Sequence, residues 1–213
     1  MRVLGIDPGI TRCGIGVVDF DTSRQCTLVY VDVVRSDPNT ATQFRLLKIS
    51  QGIAEAIARF QPDIVALERP FAKENRQSVA TTMQAMGIAM VEAARQGLPV
   101  AVHTPSEVKA AVSGNGSASK AQVQAMVARI LRLDKPPKPA DAADALAIAI
   151  TQAWRGTGIL GASSDGDFSV SLSGKVKTPA GTHLTAAQRL WAEAEAKTRR
   201  SGAVDPRRRQ KPL

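Results

Sequence analysis

The chain has 213 residues, 44% of them hydrophobic, and a net charge of +9 with a pI near 10.1. That size suits one packed domain with some chain left over, and no apolar run reaches the roughly 18 residues of a membrane span. Such a positive balance attracts phosphate backbones by releasing their counterions; anionic membranes would be attracted too, but no amphipathic Lys/Trp/Phe helix stands out.

The opening stretch Met1-Arg2-Val3-Leu4-Gly5-Ile6-Asp7 is too short and stops at an acid too soon to be a signal peptide. A cytoplasmic location is therefore expected. Residues 2–7, 14–20 and 26–34 read as three strands in consecutive hairpins, with Gly9, Gly14 and Gly16 around the first turn. Cys13 and Cys26 fall within or beside these strands. They are too few and too isolated for a disulfide framework or a zinc site. Residues 41–60 place Phe44, Leu47, Ile53 and Ile57 at helical spacing. After Pro62, residues 63–67 form a fourth strand. Residues 76–96 form a helix with Val79, Met83, Met86 and Met90 on or near one face; it serves as core or as part of a dimer seam. A fifth strand, 99–102, a short helix at 105–112 and a helix at 118–132 follow. Pro136, Pro137 and Pro139 then lead into a last helix at 140–154.

Three antiparallel strands followed by alternating helix and strand predict an α/β fold, a mixed five-stranded sheet flanked by helices. The domain is expected to span 1–155. Residues 156–213 read as a basic, flexible extension. Beyond residue 160 there are ten Lys/Arg against five Asp/Glu, so a quarter of the length carries over half of the excess charge.

Four carboxylates carry the chemistry. Asp7 ends the first strand and Glu68 follows the fourth, while Asp141 and Asp144 lie three apart at the start of the last helix. Singly, each has an ordinary structural role: a Pro-Gly turn for Asp7, a partner for Arg69, helix-dipole acids for the pair. An acid at the end of a buried strand is costly unless a cation neutralises it. If strands one and four are neighbours, Asp7 and Glu68 emerge side by side, and a helix carrying Asp141 and Asp144 on one face closes over them. Such an oxygen cluster suits Mg²⁺ or Mn²⁺.

Gly5-Ile6-Asp7-Pro8-Gly9, Ala66-Leu67-Glu68 with Phe71 three residues on, and Asp141-Ala142-Ala143-Asp144-Ala145-Leu146-Ala147-Ile148-Ala149 resemble, in order and spacing, the RuvC family of bacterial Holliday-junction resolvases. The resemblance runs from residue 1 to about 155. It implies a ribonuclease-H-like fold, a homodimer, a four-way DNA junction as substrate, and partnership with RuvA and RuvB. Asp7, Glu68, Asp141 and Asp144 match the family's metal-binding acids; the position of Asp141 is His in some members. Two-metal hydrolysis is implied, with two Mg²⁺ per site about 4 Å apart, Asp7 bridging them, and Mn²⁺ able to substitute. The products would be a 5′-phosphate and a 3′-hydroxyl. Lys109 and Lys120 resemble family lysines needed for catalysis or DNA contact, and Phe71 matches an aromatic that stacks on a junction base. Lys120 also stands near a helix N-terminus, where phosphate binds readily.

Three rival readings are an actin-like or sugar-kinase ATPase, a ribonuclease-H-like enzyme acting on RNA, and a non-catalytic junction binder. The first lacks a second phosphate turn in this chain. The second fits the Asp141/Asp144 block less well, and the third leaves four retained acids without a purpose.

Overall fold

The computed structural model describes residues 1–69 and 76–156. Phe71 and all but the first residue of the 156–213 extension lie outside them. The strands are β1 (Arg2–Asp7), β2 (Arg12–Phe20), β3 (Cys26–Arg35), β4 (Ile64–Glu68) and β5 (Val100–His103). The helices are α1 (Thr42–Phe60), α2 (Arg76–Arg95), α3 (Pro105–Ser113), α4 (Lys120–Ile130) and α5 (Ala140–Arg155). The sheet order is β3-β2-β1-β4-β5. β1, β2 and β3 pair antiparallel, and β4 and β5 run parallel to β1. This is the mixed five-stranded α/β sheet that the sequence predicts.

Period-two alternation decides which face each strand residue serves. Leu4 and Ile6 of β1 pack with Val65 and Leu67 of β4 against Ile49 and Ile53 of α1 and Ala85, Met86 and Ala89 of α2. Val3 and Ala66 pack on the other face, with Val108, Val123, Val127, Leu146 and Ile148 from α3, α4 and α5. The same alternation carries Asp7 and Glu68, the last residues of β1 and β4, onto the α5 face. Each fully buried Leu, Ile or Val side chain contributes roughly 1.5–3 kcal/mol.

Three details differ from the sequence reading. β2 begins at Arg12, not at residue 14, because Arg12 and Cys13 pair with Arg35 and Val34. Gly14 and Gly16 lie in the strand, as read, but two residues further from its start. On α1, Ile49, Ile53, Ala56 and Ile57 form the buried stripe, while Phe44 and Leu47 are 59% and 52% exposed. Measured from Ile49 at 100° per residue, Phe44 and Leu47 fall on other faces of the helix. On α2, Met86 is buried but Met83 is exposed. Both cysteines are buried and free, and burial pushes the Cys13 thiol up to about 12 and the Cys26 thiol up to about 11.

Candidate active site

The site begins with how closely α5 lies on the sheet. Gly5 of β1 is opposite Gly16 of β2, and Asp7 is opposite Gly14. A Cβ on Gly5 would stand 2.6 Å from the Ala149 backbone nitrogen and would also meet the Ala145 carbonyl oxygen. One on Gly14 would stand 2.9 Å from the Asp141 carbonyl carbon. Missing side chains on two strands thus let the backbone of α5 settle directly onto the sheet. Its N-terminal end, with Asp141 and Asp144, comes down beside Asp7. Parallel pairing of Ile6 with Leu67 puts the next residues, Asp7 and Glu68, at adjacent strand ends. At the far end of α5, the buried His103 Nε2 and Gln152 Oε1 lie 2.8 Å apart and tie the helix to β5. His103 is also the register partner of Glu68.

The electrostatics follow from this crowding. Burial, then the charges of Asp144, Glu68 and Asp141, push the Asp7 carboxyl up to about 7, against a smaller lowering by Lys120. Asp144 is also raised, chiefly by burial, although its hydrogen bond from Lys120 works the other way. Burial disfavours the Lys120 ammonium, but its bond to Asp144 and the charges of Asp144, Asp7 and Asp141 outweigh that, and its pKa rises. The Lys120 Nζ to Asp144 Oδ2 distance is 2.6 Å, and Arg12 Nε lies 3.1 Å from Asp141 Oδ2. Asp144 and Asp141 therefore lean on basic side chains. Among the described residues, no three acids, histidines or cysteines stand close enough as placed to hold an ion. The donors are nevertheless all hard oxygens. Asp7, pushed far above the usual carboxylate range by burial and then by its acidic neighbours, is the kind of group a divalent cation would relieve. The residues fit Mg²⁺ or Mn²⁺.

A cleft of about 480 Å³ is lined by Asp7, Glu68 and Asp144 together with Lys109, Lys120 and Ser106. Local caps hold the lysines in place. Ser119 and Gln122 form a capping box at the start of α4, making Lys120 its first residue. Thr104 and Glu107 do the same for α3, which carries Lys109 one turn further on. Five of the sequence-predicted residues thus share one cleft. Asp141 does not line it, being turned toward Arg12. Arg12, His103 and Gln152 are not singled out by the sequence. Only the strand register and helix docking reveal them, since an arginine after a turn and a histidine at a strand end carry no motif.

A testable pH dependence follows from the raised Asp7. An acid whose folded pKa exceeds its unfolded value destabilises the fold as pH rises between the two, here from about 4 to about 7. A shift of that size corresponds to roughly 4 kcal/mol at most. His103, whose pKa burial lowers, acts in the opposite sense below about pH 6.5. Comparison with Asp7→Asn cancels it. In EDTA, the melting temperature of the wild type should fall relative to Asp7→Asn as pH rises from about 4 to about 7, and Mg²⁺ should close the gap. Parallel curves in EDTA would contradict the crowding of the acids.

The model of the family described as crossover junction endodeoxyribonuclease RuvC matches residues 3–152. The chain belongs to the RuvC family. Its members are metal-dependent endodeoxyribonucleases, hydrolases of phosphodiester bonds. The RuvC of Leifsonia xyli subsp. xyli is 53% identical over 208 residues, covering 98% of each chain. That match extends into the basic C-terminal region, beyond the end of the family model. The RuvC of Nocardioides sp. is 62% identical over 156 residues, 73% of this chain and 88% of that relative. Among solved structures, Thermus thermophilus RuvC in complex with Holliday junction substrate superposes with a TM-score of 0.69 at 38% identity, covering 72% of this chain and 93% of that one. The RuvC likeness makes the sheet of this chain ribonuclease-H-like. Yeast mitochondrial Ydc2, at 15% identity and a TM-score of 0.50, shares the fold.

Proposed function

We propose that the protein resolves Holliday junctions by cutting four-way DNA at paired, symmetric positions during recombination and repair, leaving 5′-phosphate and 3′-hydroxyl ends. The observation that carries this reading is the single cleft in which Asp7, Glu68 and Asp144 face Lys109 and Lys120. Acids alone would repel a DNA backbone, and lysines alone would only bind it. Together they hold the phosphate while leaving oxygen donors for Mg²⁺, two ions per site, with Mn²⁺ as a substitute. Divalent cations held there supply Lewis acidity, which makes water a nucleophile near neutral pH and stabilises the leaving 3′ oxygen. Asp7, which feels the charges of the other three acids, would be the central donor for these ions. Asp141, three residues before Asp144 on α5, would be the fourth donor. Lys120 stays protonated and presents its charge to the scissile phosphate, and Lys109 steadies the same strand from α3. Phe71, three residues beyond Glu68, supplies a stacking surface for a junction base, worth about 1–3 kcal/mol.

Two symmetric cuts call for two sites related by a two-fold axis, so the working form is a homodimer. Among the described residues, the exposed large apolar side chains apart from Met1 are Phe44 and Leu47 on α1 and Met83 and Val91 on α2, and these two helices form the seam. Residues 156–213 extend the nuclease domain of 1–155 and add sequence-independent attraction to DNA. RuvA and RuvB are the partner proteins and the cytoplasm is the compartment; no helix among the described residues is long and apolar enough to cross a membrane. The reading is tested by offering a synthetic four-way junction, a linear duplex, an RNA–DNA hybrid and ATP under the same conditions. The junction should be cut in strong preference. Equal cutting of the hybrid, or ATP turnover without DNA, would overturn it.

A further inference from the structure

Arg12 is the group whose position the proposed chemistry does not use. It opens β2, five residues after Asp7, and its Nε lies 3.1 Å from Asp141 Oδ2 while its side chain is 57% exposed. Across the strand pair its register partner is Arg35. The register sets two arginines directly opposite each other at this edge of the sheet, and directly opposed like charges are unfavourable. Asp141 offsets that cost on one side only. Among the described residues Arg35 has no ion pair.

Asp141 is thus occupied by a cation of the protein itself, and it is the one predicted acid that does not line the cleft. We propose that Arg12 is a displaceable counter-ion: it holds Asp141 out of the cleft until a divalent cation competes for the carboxylate, and the released guanidinium, with Arg35, then takes a DNA backbone phosphate. The inference rests on the reading of the four acids as cation ligands. Arg12 acts through Asp141 and is a positioning residue with respect to the cation. Because one carboxylate cannot serve both partners fully, cation binding and phosphate binding at this edge favour each other. Each removes a competitor from the other's path, and such coupling is reciprocal.

The test measures Mn²⁺ affinity of DNA-free full-length protein by calorimetry for the wild type, Arg12→Gln, Arg12→Ala and Arg35→Ala. Both Arg12 variants should bind Mn²⁺ about fivefold more tightly, the upper size for an exposed ion pair. Arg35→Ala, which removes the same charge without an ion pair, should change affinity less than twofold. In an Asp141→Asn background the Arg12 effect should vanish. Equal tightening by Arg12→Ala and Arg35→Ala would reduce the effect to net charge and overturn the proposal. A wild type that binds no Mn²⁺ would overturn the cation-site reading itself, so the two failures are distinguishable. For the phosphate half, the salt dependence of junction binding in Ca²⁺ should lose about 0.9 from its log–log slope in Arg12→Ala. An unchanged slope would leave Arg12 without a phosphate partner and overturn that half.

Discussion

Asp7→Asn protein should fold normally and lose cleavage of a four-way junction by at least about a thousandfold. Loss of a shared cation ligand removes several kcal/mol of transition-state stabilisation, and each 1.36 kcal/mol is a factor of ten in rate. Folding should survive for a reason visible in the electrostatics. Asp7 is buried, crowded by Asp144, Glu68 and Asp141, and held up to about 7. Removing its charge relieves the repulsion, so without metal the variant should be at least as stable as the wild type above neutral pH. Junction binding in EDTA should be retained, since Lys109 and Lys120 are untouched. Single-turnover cleavage with a thermal melt of the same preparation checks this. An active Asp7→Asn enzyme would dismantle the assignment, and an unfolded one would contradict the physical account of the site.

The second large effect lies away from any charged group. Gly5→Ala should destabilise the fold by about 3 kcal/mol, the upper end of ordinary overpacking, because its Cβ meets backbone atoms of α5 that no rotamer change can move. For a domain of this size that is a fall of roughly 6–12 °C in melting temperature. Cleavage should fall with it, since lifting α5 withdraws Asp141 and Asp144 from Asp7. Gly87→Ala is the matched control. Gly87 lies inside α2, and nothing stands within 4 Å of its added Cβ. Helix propensity then predicts a gain of about 0.5–1 kcal/mol. Equal responses of the two variants would show that α5 is not packed against Gly5 as described.

These glycines also show where sequence reading stops. Residue alternation and strand-end acids make β1, β4, Asp7 and Glu68 legible, because a buried strand that stops at a carboxylate is a physically unusual pattern. The i, i+3 spacing of Asp141 and Asp144 fixes their common helix face. Gly14 and Gly16, by contrast, read only as strand glycines beside a turn until the register sets them under α5. The apolar residues of α1 give no sign of which stripe is core; Ile49 and Ile53 are buried while Phe44 and Leu47 are not. Helical periodicity identifies an apolar face and is silent on whether the domain or a second copy covers it. The pairing of Arg12 with Asp141 is a contact between a strand start and a helix 129 residues later, and no local pattern announces it.

The central claim is that this cleft performs metal-dependent, paired cleavage of junction DNA. Its most direct test is a synthetic four-way junction, mobile and immobile, incubated with and without Mg²⁺ and mapped at nucleotide resolution on all four strands. The account predicts nicks at symmetry-related positions on two opposing strands, with 5′-phosphate and 3′-hydroxyl ends, and only when Mg²⁺ is present. Nicks of equal yield in EDTA, or a junction bound in Mg²⁺ but left intact, would contradict it.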